Sequence, residues 1–477
     1  MNKSVENFLL LTRIPRQSGH EEAVSRFLCQ WAADRGLTAV RDSANNVIID
    51  KPGAPGLENA PRTILQAHMD MVCVAEEGRV YDPLTDPIRV INDGETLTAD
   101  GTSLGADNGA GVAVAMTVLE DGDGRFGPVR AIFTTDEENG MTGALTVDPR
   151  HLDAKYLINL DWEGYGSLCC SSAGSDMYSF RRPAHWVGGN GLRFYSLTVQ
   201  GLEGGHSGAQ IHLGRANAIR MAGNILLSGG EKAPGLSLAS FKGGSAHNAI
   251  PSSCAAVAAV PAEQAEAFLS AAMETVDRLL EQCALTDPGA SVTLTETDGA
   301  DTVLTPDDTR TVLEMLTAVH DGVNTMSPAI PGLVESSASL GLAALDEDGF
   351  SFVIHQRSSE PAITEAMKKT YSEQAKRFGF AMTVLSSSPG WPLNPHSRLV
   401  ALCADCFRAL EGREIRVEPV HAGLECGAGA NKNPTLDIIS IGPELRDIHS
   451  PKETLVIKSM EQTETLVKSI LKEIAKE

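Results

Sequence analysis

Apolar and polar positions follow two rhythms along the first third of the chain. Short runs rich in β-branched residues, Thr63–Gln66, Val129–Thr134 and Tyr156–Leu160, read as strands. Val5–Leu11, Glu21–Arg35 and Ala110–Leu119 instead repeat their apolar residues at the spacing of a helix face. Strand and helix in alternation predict an α/β domain on a largely parallel sheet.

The pattern changes near Ser175. Leu192–Val199, Ser237–Phe241 and Ser252–Val260 read as strands, with helices at Arg215–Leu227 and Ala262–Cys283. A looser second set follows: helix Asp308–His320, strands Val334–Leu342 and Phe350–Gln356, and helix Ile363–Phe378. Two β-α-β units in series suggest an inserted α+β domain of two related halves, although no clear sequence repeat accompanies them. The Ser- and Pro-rich stretch Ser386–Pro395 reads as a return linker. Helix Ser397–Leu410 and strand Leu436–Ile441 then return to the alternation of the first third. The expected organisation is a discontinuous catalytic domain, residues 1–174 and 392–477, interrupted by an inserted domain over 175–391.

Composition narrows the class of protein. At 477 residues the chain can hold two or three domains, and 42% hydrophobic residues suit a globular fold. A formal net charge of −23 argues against nucleic acid or an anionic membrane as partner. Met1–Ile14 holds only a short apolar run and makes a poor signal peptide. No apolar stretch approaches the roughly 20 residues that span a bilayer. Nine cysteines without regular spacing fit a reducing compartment, so the expected location is the cytoplasm.

The chemistry gathers just beyond the predicted strands. Thr63–Gln66 leads into His68 and Asp70, Val129–Thr134 into Asp136-Glu137-Glu138, and Tyr156–Leu160 into Asp161 and Glu163. Leu436–Ile441 leads into Glu444, Asp447 and His449. Ligands of open α/β sheets bind beyond the carboxyl ends of the strands, so these segments can converge. Asp107, within Gly105-Ala106-Asp107-Asn108-Gly109, is well placed to cap the next helix, and could instead bridge two cations. Each piece has an ordinary reading as well: a hydrogen-bonded pair, a helix cap, a solvated acidic turn. What weakens those readings is the repetition, since every acid or imidazole follows a separate apolar strand. Two imidazoles with several carboxylates suit Zn²⁺, Mn²⁺ or Co²⁺. Two such ions about 3.5–4 Å apart could hold a water and lower its pKa. One carboxylate must then stay off the metals to take the proton.

His68-Met69-Asp70, Ala106-Asp107-Asn108-Gly109, Asp136-Glu137-Glu138, Asn159-Leu160-Asp161 and His449-Ser450-Pro451 resemble the motifs of the M20 metallopeptidases, most closely the aminoacyl-histidine dipeptidase group. The resemblance implies a two-zinc exopeptidase-like domain with a mixed central sheet flanked by helices, and a lid formed by the insertion. It implies that His68 and Asp161 ligate one zinc, Glu138 and His449 the other, with Asp107 bridging and the Asp107–Asn108 peptide cis. Glu137 would be the general base and Asp70 the acid behind His68. The implied reaction is hydrolysis of unblocked dipeptides, Xaa-His among them, by a metal-bridged hydroxide. In the lid, His206 of Gly204-Gly205-His206-Ser207-Gly208 would stabilise the oxyanion, and Asn248 and Arg357 would hold the substrate carboxylate. Glu425 of Gly423-Leu424-Glu425-Cys426-Gly427 would be a substrate contact. Other M20 activities (tripeptidase, carboxypeptidase, deacetylase) remain alternatives, with a non-catalytic two-domain binding protein behind them. The oligomeric state stays open between monomer and homodimer.

Two further motifs compete. Gly101-Thr102-Ser103-Leu104-Gly105 fits the G-x-S-x-G pattern of serine hydrolases, but the strand before it is short and half polar, and the helix starts only after Asp107. Cys403-Ala404-Asp405-Cys406 is a lone C-x-x-C whose thiols are expected on one buried helix face.

Overall fold

The computed structural model describes residues 2–328 and 330–477. The chain forms two compact units, Met1–Ser172 with Ser388–Glu477, and Ala173–Ser387.

The first unit is built on an eight-stranded sheet. Its order is Thr38–Arg41, Val47–Lys51, Val129–Thr134, Thr63–His68, Tyr156–Asn159, Asp437–Ser440, Ser167–Ser172, Arg416–Val420. The middle strands alternate apolar residues towards both faces, as a sheet covered on two sides requires. Leu65, Ala67, Ala131 and Phe133 enter the larger core, and Ile64, Ile132 and Leu157 the smaller one on the other face. Helices Lys3–Leu11, Ala106–Glu120 and Ile457–Ile474 pack into the larger core. Ala106–Glu120 is apolar all round and buried along nearly its whole length.

The sheet is mixed rather than largely parallel. Parallel pairing is confined to Val129–Thr134, Thr63–His68, Tyr156–Asn159 and Asp437–Ser440, and to Ser167–Ser172 with Arg416–Val420. The Thr38–Lys51 hairpin adds antiparallel pairing, turning through Asn45 at φ 67°. The expected linker at Ser386–Pro395 is not free chain either. Ala381–Ser388 is a strand, and Trp391 is buried and bridged to Ser172.

The inserted unit carries a nine-stranded sheet. The main order is Ser291–Thr297, Leu192–Gln200, Cys254–Pro261, Ser237–Gly243, Val334–Asp346, Gly349–Ser358, Gly174–Pro183, Ala381–Ser388. Its described pairings are antiparallel, so the helices are not crossovers between adjacent parallel strands as β-α-β units in series would have them. Gly174–Pro183 enters the sheet beside a strand from much later in the chain, so the two halves of the sheet are not successive in sequence. The halves join at the paired positions Lys242↔Ala344 and Gly243↔Ala343. Helices Ala218–Lys232, Ala265–Cys283, Pro306–Ala318 and Pro361–Phe378 bury their apolar stripes in this unit's core.

Candidate metal centre

Because Val129–Thr134, Thr63–His68, Tyr156–Asn159 and Asp437–Ser440 are neighbours running the same way, their carboxyl ends open at one sheet edge. His68 is the last residue of its strand, and Glu137, Glu138 and Asp161 stand just past theirs. His449 lies in a hairpin between short strands Leu445–Arg446 and Thr454–Val456, whose second strand pairs with Thr96–Ala99. It has φ 57°, a left-handed conformation uncommon outside glycine.

Asp107 joins two clusters of donors. Its Oδ1 lies 3.1 Å from His68 Nε2, which is also 3.2 Å from Asp161 Oδ1. Its Oδ2 lies 3.1 Å from His449 Nε2, which is also 3.0 Å from Glu138 Oε1. Ligand atoms of His68, Asp107 and Glu138 all fall within 4.8 Å of one another. Five side chains from distant parts of the chain therefore turn nitrogen or oxygen towards two places, four giving one atom each and Asp107 one oxygen to each place. This mixed imidazole–carboxylate set fits borderline and hard divalent ions. The expected cap by Asp107 does not form. Asp107 and Asn108 leave helical geometry, their peptide bond is cis, and Asn108 Oδ1 accepts from Gly111 N at 3.1 Å.

Further acids hold the backbone around these donors. Asp70 Oδ1 is 3.4 Å from His68 Nδ1 and accepts from Glu137 N at 3.1 Å, while its Oδ2 accepts from Glu138 N at 3.3 Å. Glu21 accepts the preceding amide, Asp136 N, at 3.0 Å. Arg16, 2% exposed, donates to the carbonyls of Met69, Asp70 and Gly105. Glu425, expected at the substrate, is 3% exposed and accepts from Gln66 and Thr134 within the sheet. Gln66 in turn bonds Asn159, whose Oδ1 accepts from Asp161 N at 3.3 Å. Sequence reasoning missed Arg16, Glu21 and Glu453. Only Glu453 carried a signal, as an acid four residues beyond His449.

The electrostatics follow from burial and crowding. Burial works against charge on His68, but Asp161, Asp107 and Asp70 together hold its pKa well above the ordinary range. Hydrogen bonds from Asp107 and Glu138 raise His449 to about 10. Burial would raise Asp70, yet His68, Ser18 and the Glu137 amide bring it down to about 2. Glu137 is pushed well up, first by burial and then by Asp161, Glu425 and Glu138. A carboxylate with raised proton affinity beside fixed acids is suited to proton transfer.

The inserted unit brings its own expected residues together in a different way. The Gly204–Gly208 and Asn248–Pro251 loops pair: Ser207 N donates to Asn248 O at 2.8 Å, and Ile250 N to Gly205 O at 2.8 Å. His206 Nδ1 accepts from Gly208 N at 3.2 Å and Ala209 N at 2.9 Å, which leaves the proton of the neutral ring on Nε2. Burial, then Arg357, holds the His206 pKa down. Arg357, at the end of Gly349–Ser358, is 6% exposed; its Nε has no hydrogen-bond partner and, among the described residues, no carboxylate pairs with it. Burial alone lowers its pKa to about 10.

The competing motifs are structural. Ser103 is fully buried and donates to Val72 O at 2.7 Å, so no nucleophile is presented. Cys403 and Cys406 are both buried on helix Arg398–Glu411.

Comparison with known proteins agrees with this geometry. The chain is 32% identical over 468 residues to the cytosol non-specific dipeptidase of Escherichia coli K12, covering 98% of this chain and 96% of that one. The aminoacylhistidine dipeptidase of Vibrio alginolyticus superposes with a TM-score of 0.90 at 31% identity, over 99% of this chain and 96% of that one. The aminopeptidase PepT of Bacillus cereus shares the fold, with a TM-score of 0.56 at 16% identity over 99% and 98% of the two chains. Residues 64–473 match the model of peptidase family M20/M25/M40, and the chain belongs to that family.

Proposed function

We propose that the protein is a metal-dependent dipeptidase that hydrolyses free dipeptides, Xaa-His among them, in the cytoplasm. The observation that carries this reading is the division of Asp107 between two imidazole–carboxylate clusters. Full-length likeness to two dipeptidases supports the substrate class. Nine free thiols suit a reducing compartment, and among the described residues no helix is long and apolar enough to cross a membrane.

In this reading His68, Asp161 and Asp107 would hold one divalent ion, and Glu138, His449 and Asp107 the second, zinc being the first choice for an N/O donor set. When bound, such ions polarise the scissile carbonyl and make a water molecule more acidic. Glu137 takes the proton of that water as its oxygen bonds to the carbonyl carbon. It returns the proton to the leaving nitrogen as the C–N bond breaks. Asp70 fixes the ring of His68 and the amides of Glu137 and Glu138, so the base and both clusters share one support. The inserted unit is read as the substrate-selecting lid. Its Arg357 has a planar fork suited to a terminal carboxylate and no competing acid. Asn248 is assigned to the same carboxylate, and the Nε2–H of His206 to the developing oxyanion. Glu425 supports the strand ends from beneath rather than meeting substrate.

The test is a panel of free dipeptides, tripeptides and N-acetyl amino acids, assayed before chelation, after it, and after Zn²⁺ is restored. Dipeptide turnover lost to chelator and regained with zinc is expected. Turnover of acetylated amino acids with none of free dipeptides, or activity indifferent to chelation, would overturn the assignment.

A further inference from the structure

Helix Ala106–Glu120 is kinked at Asp107 and Asn108, and past the kink Asn108 Oδ1 accepts from Gly111 N. The amides of Leu104–Asp107 lie ahead of those that an Asp at 107 would cap, and they need an acceptor from elsewhere. Here a remote residue does that work. Glu453 Oε2 accepts from Leu104 N at 2.7 Å and Gly105 N at 2.9 Å, and its Oε1 from Ala106 N at 2.7 Å and Asp107 N at 3.1 Å. One carboxylate, 2% exposed, thus receives four successive backbone amides.

We propose that Glu453 is a positioning residue: by taking the amides of Leu104–Asp107 it fixes the backbone that presents both Asp107 oxygens to two divalent ions. The proposal rests on the two-ion reading of the site. The Asp107 oxygens face His68 and His449, while the Asp107 amide itself is held by Glu453. The same backbone is gripped from its carbonyl side, where Arg16 donates to Gly105 O. Glu453 also sits in the hairpin that carries His449, and that hairpin is pinned to Thr96–Ala99 through Leu455↔Leu97. A single clamp therefore sets where the bridging acid stands relative to the imidazole on its second oxygen.

Without Glu453, four successive amides would need a new acceptor, and the segment would shift to find one. Asp107 would move with it, away from the point where its oxygens face both imidazoles. A Glu453 with no bearing on the metals would affect thermal stability and nothing else. The separating readout is metal affinity and spectrum.

The experiment uses the full chain stripped by chelator and titrated with Co²⁺, followed by calorimetry and by visible absorption, which reports coordination. Wild type is expected to take two equivalents. Glu453→Gln keeps one acceptor oxygen in the cradle, and Glu453→Ala keeps none. Co²⁺ affinity should fall by roughly 10- to 100-fold, as supports of metal ligands usually show, with Ala beyond Gln and altered bands in both. Excess Co²⁺ should restore much of the dipeptide turnover. Unchanged affinity and spectrum in both variants, whatever their melting temperatures, would overturn the proposal. If Glu453→Ala does not fold, Glu453→Gln decides by the same readout. A wild-type chain that takes fewer than two ions would overturn the two-ion reading, and the proposal with it.

Discussion

In the unit formed by Met1–Ser172 and Ser388–Glu477, buried charges come with partners. Arg16 donates to three carbonyls, Asp70 serves His68 and two amides, and Glu453 serves four amides. In the Ala173–Ser387 unit, Arg357 is buried too, and the Nε of both arginines lacks a partner, but among the described residues no carboxylate pairs with Arg357, and burial together with Arg357 holds the pKa of His206 and His355 down. A satisfied charge fixes geometry; an unsatisfied one is held ready for a ligand of opposite sign. On the proposed function, the first unit would present preorganised acids to cations, and the second a cation to an anion.

The largest expected effect asks whether the acids of the first unit do more than hold ions. Glu137→Gln should lower kcat by about 10²- to 10⁴-fold, the usual worth of a general base, with metal stoichiometry unchanged. Near-normal turnover would assign the proton transfer elsewhere.

A paired experiment then sets the two buried arginines against each other. Arg16→Met leaves three carbonyls without their donor and should destabilise the fold by about 3 kcal/mol or more in urea unfolding. Arg357→Met removes a charge that has no counter-ion. It should leave stability equal or higher while raising KM for dipeptides roughly 10- to 100-fold, the value of a charged hydrogen bond. Equal destabilisation of both variants would break the comparison.

A smaller effect lies in the pH dependence. His355, 7% exposed, is brought from its ordinary 6.5 to about 3 by burial and then by Arg357, His247 and His206. Below about pH 6.5 the unfolded chain takes up a proton there that the folded chain refuses until about pH 3. Its contribution is therefore complete above that range and is lost as pH falls through it, by about 1.4 kcal/mol per unit. Unfolding measured against pH should be less steep for His355→Gln than for wild type. Superposable curves would show that His355 is not held neutral.

Much of the first unit could be read from sequence because each of these donors follows its own apolar run, and a parallel block of strands must deliver those ends to one edge. The convergence of His68, Glu138 and Asp161 was legible for that reason. His449 was less so, because a hairpin rather than the strand itself carries it. The antiparallel flank was hidden because the Thr38–Lys51 hairpin depends on a left-handed Asn45 rather than on apolar periodicity. The support shell was also hidden. A carboxylate that holds backbone amides looks in sequence like any loop acid. Position along the chain therefore points to Asp107 for the cap that Asn108 supplies, and the family resemblance points Glu425 towards the substrate.

The central claim is that Asp107 serves two ions at once. Mass-spectrometric metal analysis of purified wild type beside Asp107→Ala tests it directly. The account expects two equivalents of divalent metal in wild type and loss of both from the variant, since each cluster gives up an oxygen. Two ions retained by Asp107→Ala, or a wild type fully active with one, would contradict it.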